Sequence, residues 1–259
     1  FNALTPVQRQ GYDWQFPWPP DAPGDERLRY QVEELGLDQV VHVGLDVCAP
    51  EPFEPEISLE GGILHKRYDT LAGVLHAAVR YNEKWPHGED IRFFSDFNIG
   101  HYVKPWIETE QDLEAFKLVH TPADDATLEA RAESAVAAAR EQAGRFDLAT
   151  IAHCGTGMTG AQHLFGATQL CLMTVENPDL VDAYLEYEHG LQALAGRGVD
   201  MVRRNGFYET ADFYSPAMLE RFLGERLRAE RDAAHAGGML MTYTAHTGIM
   251  PILDYLHGL

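Results

Sequence analysis

Cysteine is scarce in this 259-residue chain. Cys48, Cys154 and Cys171 stand far apart, and no CxxC pair occurs. That spacing argues against a disulfide framework, excludes a zinc knuckle and makes a reducing cytoplasm the expected setting. A site assembled from scattered metal ligands is not excluded. No run of 18 apolar residues exists, so no membrane span is expected. The opening "FNALTPVQRQ" lacks a basic segment followed by an apolar one, so no secretory signal is expected. It also lacks an initiating Met, so residues ahead of Phe1 are expected. Lys and Arg number 20 against 40 Asp and Glu, a net charge of −20. Such a surface repels phosphate backbones and disfavours nucleic-acid partners. No GxGxxG follows a strand-like run, which counts against a dinucleotide fold. HxxxH, HExxH and HxC are all missing.

What is present suffices for one large core: 45% of residues are hydrophobic. We read residues 1–259 as a single domain. Residues 1–30 ("YDWQFPWPPDAPGDE" within them) are rich in Pro and aromatics and are expected to wrap the surface. "LRYQVEELGLD" reads as a helix ending at Gly36 and "QVVHVGLD" as a buried strand. "GGILHKRYDTLAGVLHAAVRY" suggests a β-hairpin, and "DIRFFSDF" another strand. Thr109 with Asp112 three residues on is a capping signal for "EQDLEAFKLV". Pro178 and Ser215-Pro216 open further helices. From about residue 110 the order is helix, strand, helix, strand, helix, strand, helix. The strands are short and apolar and turn polar at their C-terminal ends, as parallel strands joined by helices do. The expected fold is α/β, a (β/α)8 TIM barrel, with a doubly wound sheet as the alternative. Only about five or six strands can be counted against the eight of a full barrel, so strands are expected to be missing from one or both ends.

Barrel active sites lie at the C-terminal ends of the strands. That rule selects four clusters. They are Asp96 with Asn98 and His101; His153-Cys154; Arg203, Arg204, Asn205, Tyr208, Glu209 and Asp212; and Tyr243, Thr244 and His246. Each has a structural alternative. Asp96 can cap a turn, and Cys154 can be a small core residue. The arginines can pair with surface carboxylates, and His246 can bond a neighbouring loop. Convergence of all four on one rim is the functional reading. His246, His153 and Cys154 are candidate zinc ligands, with Glu209 or Asp212 completing the set or acting as general base.

Two stretches carry a family resemblance. "GVDMVRRNGFYETADFYSPAMLERFLGERLRAERDAAHAGGMLMTYTAHTGIMPILDYL" resembles the C-terminal half of the uroporphyrinogen decarboxylase superfamily. "LHKRYDTLAGVLHAAVRY" with "VKPWIETEQDLEAFK" resembles its "TPaGtL" segment and the helix that follows. With "ENPDLVDAYL", the likeness covers most of residues 60–259. It implies a (β/α)8 barrel and one of two activities. One branch decarboxylates uroporphyrinogen without a cofactor, using arginines, an aspartate and a tyrosine. The other comprises methyltransferases that exchange methyl groups between a small substrate, or a thiol, and a corrinoid protein. Many of these hold zinc through an H-x-C motif before "PILD". The chain departs from both patterns. The decarboxylase "RQAGRY" is matched only by Arg9-Gln10-Gly11-Tyr12, and the H-x-C positions fall on Thr244 and His246.

The resemblance therefore implies a methyltransferase with a small-molecule substrate and a corrinoid protein partner. Glu209, Tyr243 or His246 would assist the leaving group, Asp96 would be a further catalytic residue, and Arg204, Asn205, Tyr208 and Asp212 would bind substrate. A homodimer is the expected assembly. Porphyrinogen decarboxylation, with Asp96, Tyr208 and Arg203 or Arg204 on the substrate, is the alternative. A diverged small-molecule-binding barrel is the third reading.

Overall fold

The computed structural model describes residues 24–49, 52–83, 85–94, 101–192 and 198–259. Helix α1 (Gly24–Arg29) runs into a wider π-type turn, Tyr30–Glu34, and Gly36 ends it in the left-handed region (φ 61°). Strand β1 (Val40–Val43) follows, then β2 (Glu56–Glu60), β3 (Ile63–Thr70), β4 (Gly73–Arg80) and β5 (Tyr102–Lys104). The expected hairpin is β3–β4, paired from Ile63↔Arg80 to Thr70↔Gly73. It belongs to an antiparallel sheet of order β2-β3-β4-β5. The expected strand at "DIRFFSDF" does not form over Ile91–Phe94. The indoles of Trp85 and Trp106 donate to the carbonyls of Asp90 and Arg92, at 3.1 and 3.4 Å, which a sheet ladder would otherwise use.

The second half alternates as the periodicity predicts. Thr109 caps α2 (Glu110–Val119) in a full capping box with Asp112. Asp124 caps α3 (Asp125–Gly144) through the Thr127 amide. Strand β6 (Ala149–His153) leads to α4 (Gly157–Phe165), α5 (Ala167–Glu176) and α6 (Pro178–Gln192). Strand β7 (Met201–Asn205) is followed by α7 (Pro216–Leu219), capped by Ser215, a π-type turn (Glu220–Gly224) and α8 (Glu225–Ala236). Strand β8 (Leu240–Thr244) and α9 (Leu253–His257) complete the described chain.

Strands β1, β6, β7 and β8 form one parallel sheet in that order. The expected eight-stranded barrel is thus not closed among the described residues. Four parallel strands leave two edges, at β1 and β8, and closure of a (β/α)8 barrel takes eight. The antiparallel sheet stands apart from it and pairs with none of its strands.

Side-chain alternation splits the parallel sheet into two faces. Val41, Val43, Ala152, Cys154 and Val202 pack against Ala139 and Ala143 of α3 and Ala234 of α8. The opposite face presents His42, Ile151, His153, Met201, Arg203, Asn205, Leu240, Thr242 and Thr244, which the register sets side by side. Among the described residues, helices α3 and α8 pack on the first face. On the second, His42 and His153 are exposed and Leu240 is 64% exposed. The larger core lies between the inner face of the antiparallel sheet (Leu64, Tyr68, Leu75) and the helices, through Phe116, Leu164, Phe165 and Tyr184.

Candidate active site at the strand ends

The two faces sort the sequence-derived candidates. Arg204, Tyr243 and Cys154 belong to the helix-covered side, whereas His153, Arg203, Asn205 and Thr244 belong to the open side. The described candidates thus divide between the two faces of the sheet, because neighbours along a strand point to opposite sides.

Behind the sheet lies a buried charged node. Arg204, 1% exposed, has Nη1 2.6 Å from Glu230 Oε1 and Nη2 3.3 Å from Glu209 Oε1. Burial works against its charge, and Glu209, Glu230 and Glu188 outweigh that, holding its pKa above the ordinary value. Glu209 is wholly buried. Its Oε1 also accepts from the Met158 amide at 2.8 Å, and its Oε2 accepts from the Tyr243 hydroxyl at 2.7 Å. Glu188 Oε1 accepts from the amides of Thr156 (2.7 Å) and Gly157 (3.1 Å). The first amides of α4 therefore meet two carboxylates brought from other elements, which suits both their unpaired donors and the positive helix end. Desolvation raises the pKa of Glu209 and of Glu230, with Arg204 pulling each back down. Desolvation, then the Glu209 charge, raises that of Tyr243.

Two glycines make this packing feasible. Gly157 sits at φ 45°, and a Cβ there would lie 1.9 Å from Arg204 Nη2 and 2.3 Å from Glu209 Oε1. A Cβ on Gly206 would lie 2.5 Å from the Tyr243 ring. Both oxygens of Glu209 accept from protein donors, so Glu209 and Tyr243 tie the ends of β7 and β8 to the start of α4.

On the open face the His42 and His153 rings stack, centroids 5.5 Å apart and planes 15° apart. Partial desolvation and then the Arg203 charge lower the pKa of His42. Desolvation, His42 and Arg203 do the same for His153. Arg203 Nε donates to Thr244 Oγ1 at 2.9 Å.

The remaining candidates scatter. Asp96 and Asn98 lie outside the described residues, and His101 is exposed, lining a separate cavity with Phe165 and Gly166. The amide of Asn205 pairs with the Gly155 carbonyl at 3.1 Å. The amide of Tyr208 donates to Thr159 Oγ1 at 3.1 Å. Asp212 accepts from Thr247 Oγ1 at 2.5 Å, tying down the loop after β8. His246 is exposed and stacks on Phe207, centroids 4.3 Å apart. The proposed zinc set is not assembled. Cys154 faces the helices, His153 faces the open side and His246 leans on an aromatic ring. Among the described residues no group of three or more His, Cys, Asp or Glu side chains could hold a metal ion. Burial, and then Glu230, push the Cys154 thiol up to about 12.

Sequence reasoning missed Glu188, Glu230 and His42. The first two act across 32 and 26 residues of chain and carry no local signal. His42 was placed in a strand but not on a face. Cys48, in the loop after β1, also gained a histidine neighbour. Its Sγ lies 3.3 and 3.6 Å from the two ring nitrogens of His120. Burial and then Asp46 push its thiol to about 11, so the pair is not an activated nucleophile.

Fold and site together define an α/β protein whose parallel strands gather polar side chains at their C-terminal ends and leave one face open. No protein-family model matches the chain, and no curated protein shows significant similarity to it. Among solved structures, a methyltransferase from Methanosarcina mazei is similar at 15% identity and a TM-score of 0.46. The likeness covers 88% of this chain and 57% of that one, so the chain spans little more than half that protein's length. At that level fold and function must be argued from the chain's own residues. No helix of the described residues is long and apolar enough to cross a membrane.

Proposed function

We propose that the protein is a methyltransferase-like enzyme on a (β/α)8 plan, taking a methyl group from a small substrate to a corrinoid protein or a thiol. The observation that carries this reading is the open face of the parallel sheet. Four adjacent parallel strands, packed against α3 and α8 on one side, gather His42, His153, Arg203 and Thr244 on the other. The C-terminal ends of such strands are where barrel enzymes bind substrate. The sequence resemblance of residues 60–259 supplies the reaction class.

Zinc is left out of the mechanism, because His246, His153 and Cys154 do not fit it. A corrinoid on a partner protein would supply the methyl-accepting cobalt. The chain's own residues bind and orient the donor. Arg203, steered by Thr244, offers a fixed cation. His153, whose pKa burial and its cationic neighbours lower, can accept the proton of a thiol that takes the methyl group. Glu209, Tyr243 and Arg204 keep the strand ends in place from behind.

The test mixes purified protein with free cob(I)alamin and a panel of O-, N- and S-methylated small molecules, followed by absorbance. Methylcobalamin formed with at least one donor, and lost in Arg203→Gln, is the expected result. No methyl transfer, with conversion of uroporphyrinogen in a parallel incubation, would replace this reading with the decarboxylase one. Inactivity in both would leave the binding barrel.

A further inference from the structure

The chain carries two acidic residues for every basic one, yet the open face of its parallel sheet is free of acids in the register given above. His42 on β1, His153 on β6 and Arg203 on β7 occupy adjacent strands on that face. The charged neighbours that act on either imidazole are cationic: Arg203 on His42, and His42 with Arg203 on His153. Among the described residues no carboxylate lies within ion-pair distance of Arg203. From β8 the face contributes Leu240, Thr242 and Thr244, none of them charged. Thr244 fixes one edge of the guanidinium through Nε, which leaves the Nη edge to aim elsewhere. The stacked imidazoles of His42 and His153 can offer ring N–H donors beside the Arg203 charge, which no described carboxylate balances, and a planar guanidinium fork matches a carboxylate or phosphate.

We infer that His42, His153 and Arg203 form a binding site for the anionic group, carboxylate or phosphate, of a small ligand. This rests on the reading above that the open face receives substrate, and it names that substrate's charge. The Arg203 fork takes two anion oxygens, and the stacked imidazoles supply N–H donors beside it.

The test is a titration of the isotopically labelled protein followed through the ring protons of its histidines. The probes are sodium acetate and sodium phosphate, with sodium chloride at matched ionic strength as control. Saturable shifts of His42 and His153 with acetate, phosphate or both, while His65 and His76 stay still, are expected. The stronger probe names the anion. Arg203→Gln should weaken that binding by roughly tenfold or more, the loss of a charge-assisted fork. A thermal melt of the variant confirms that it folds, and Arg203→Lys should recover part of the binding. Shifts no larger than in chloride, shifts shared equally by His65 and His76, or affinity unchanged in Arg203→Gln would each overturn the proposal. Because the readout is binding, it can fail while methyl transfer stands, and it can succeed when no methyl donor is found.

Discussion

Replacing Arg204 with methionine keeps most of the side-chain stem and removes the charge at the centre of the buried node. The guanidinium is 1% exposed and reaches Glu230 at 2.6 Å and Glu209 at 3.3 Å, with Glu188 acting on it as well. Without it, three carboxyls share one desolvated space with only the His189 ring, 3.3 Å from Glu230, beside them. Removing one partner of a buried pair costs about 3–5 kcal/mol, because the other charge is stranded. Set against a typical total of about 5–15 kcal/mol, that is a large part of the fold's stability. Some of the cost can be avoided if the stranded carboxyls take up protons, so it should shrink as pH falls. Urea unfolding followed by circular dichroism at pH 8 and pH 5 is the measurement. A loss of about 3–5 kcal/mol at pH 8 and a clearly smaller one at pH 5 are expected. A loss below about 1 kcal/mol, or one equal at both pH values, would refute the description of Arg204 as the neutralising centre of a buried acidic cluster.

The wild type should show the same electrostatics in milder form. Glu209 and Glu230 have folded pKa values above their ordinary 4.5, so the folded state binds more protons than the unfolded one above that pH. Their contribution is present below about pH 4.5 and is lost as pH rises through the folded values, which a urea series from pH 4 to 8 on wild type and Glu209→Gln would resolve. Gly157→Ala places a methyl group on the Arg204–Glu209 contact at φ 45° and should cost at least the ~1–2 kcal/mol of left-handed strain, read as a lower thermal midpoint. Tyr243→Phe removes the donor at 2.7 Å from Glu209 and should cost about 1.5–3 kcal/mol in urea unfolding while leaving anion binding at the open face unchanged. Metal analysis of wild type and His246→Ala should give the same sub-stoichiometric zinc; one zinc per chain that the substitution removes would contradict the separation of His246, His153 and Cys154.

Local rules made much of the second half legible. Thr109 with Asp112, Ser215 before Pro216, and Gly36 all mark helix ends where the sequence places them, because capping chemistry is settled within a few residues. The short apolar strands β6, β7 and β8 were likewise readable. Two kinds of feature were not. Asp90–Phe94 has strand-like composition, but the indoles of Trp85 and Trp106 take the Asp90 and Arg92 carbonyls, and composition carries no trace of that. Glu188 and Glu230 look like any of the 40 acidic residues until folding brings them to Arg204. The site was half legible. His153, Arg203 and Thr244 were singled out for their place at strand ends, yet Arg203 and Arg204 were treated as interchangeable. The two-residue period of a strand already assigns them to opposite faces, and that signal was available from the sequence.

The node around Arg204 also bears on the order in which the chain is made. Its members leave the ribosome in sequence: Thr156 and Gly157, then Glu188, Arg204 and Glu209, then Glu230, and Tyr243 last. Until Glu230 and Tyr243 arrive, Arg204 and Glu209 face each other with half their contacts unmade and with every reason to stay in water. Completing the node therefore needs β8 to join β7, which couples the pairing of the last strand to the burial of Arg204 and Glu209.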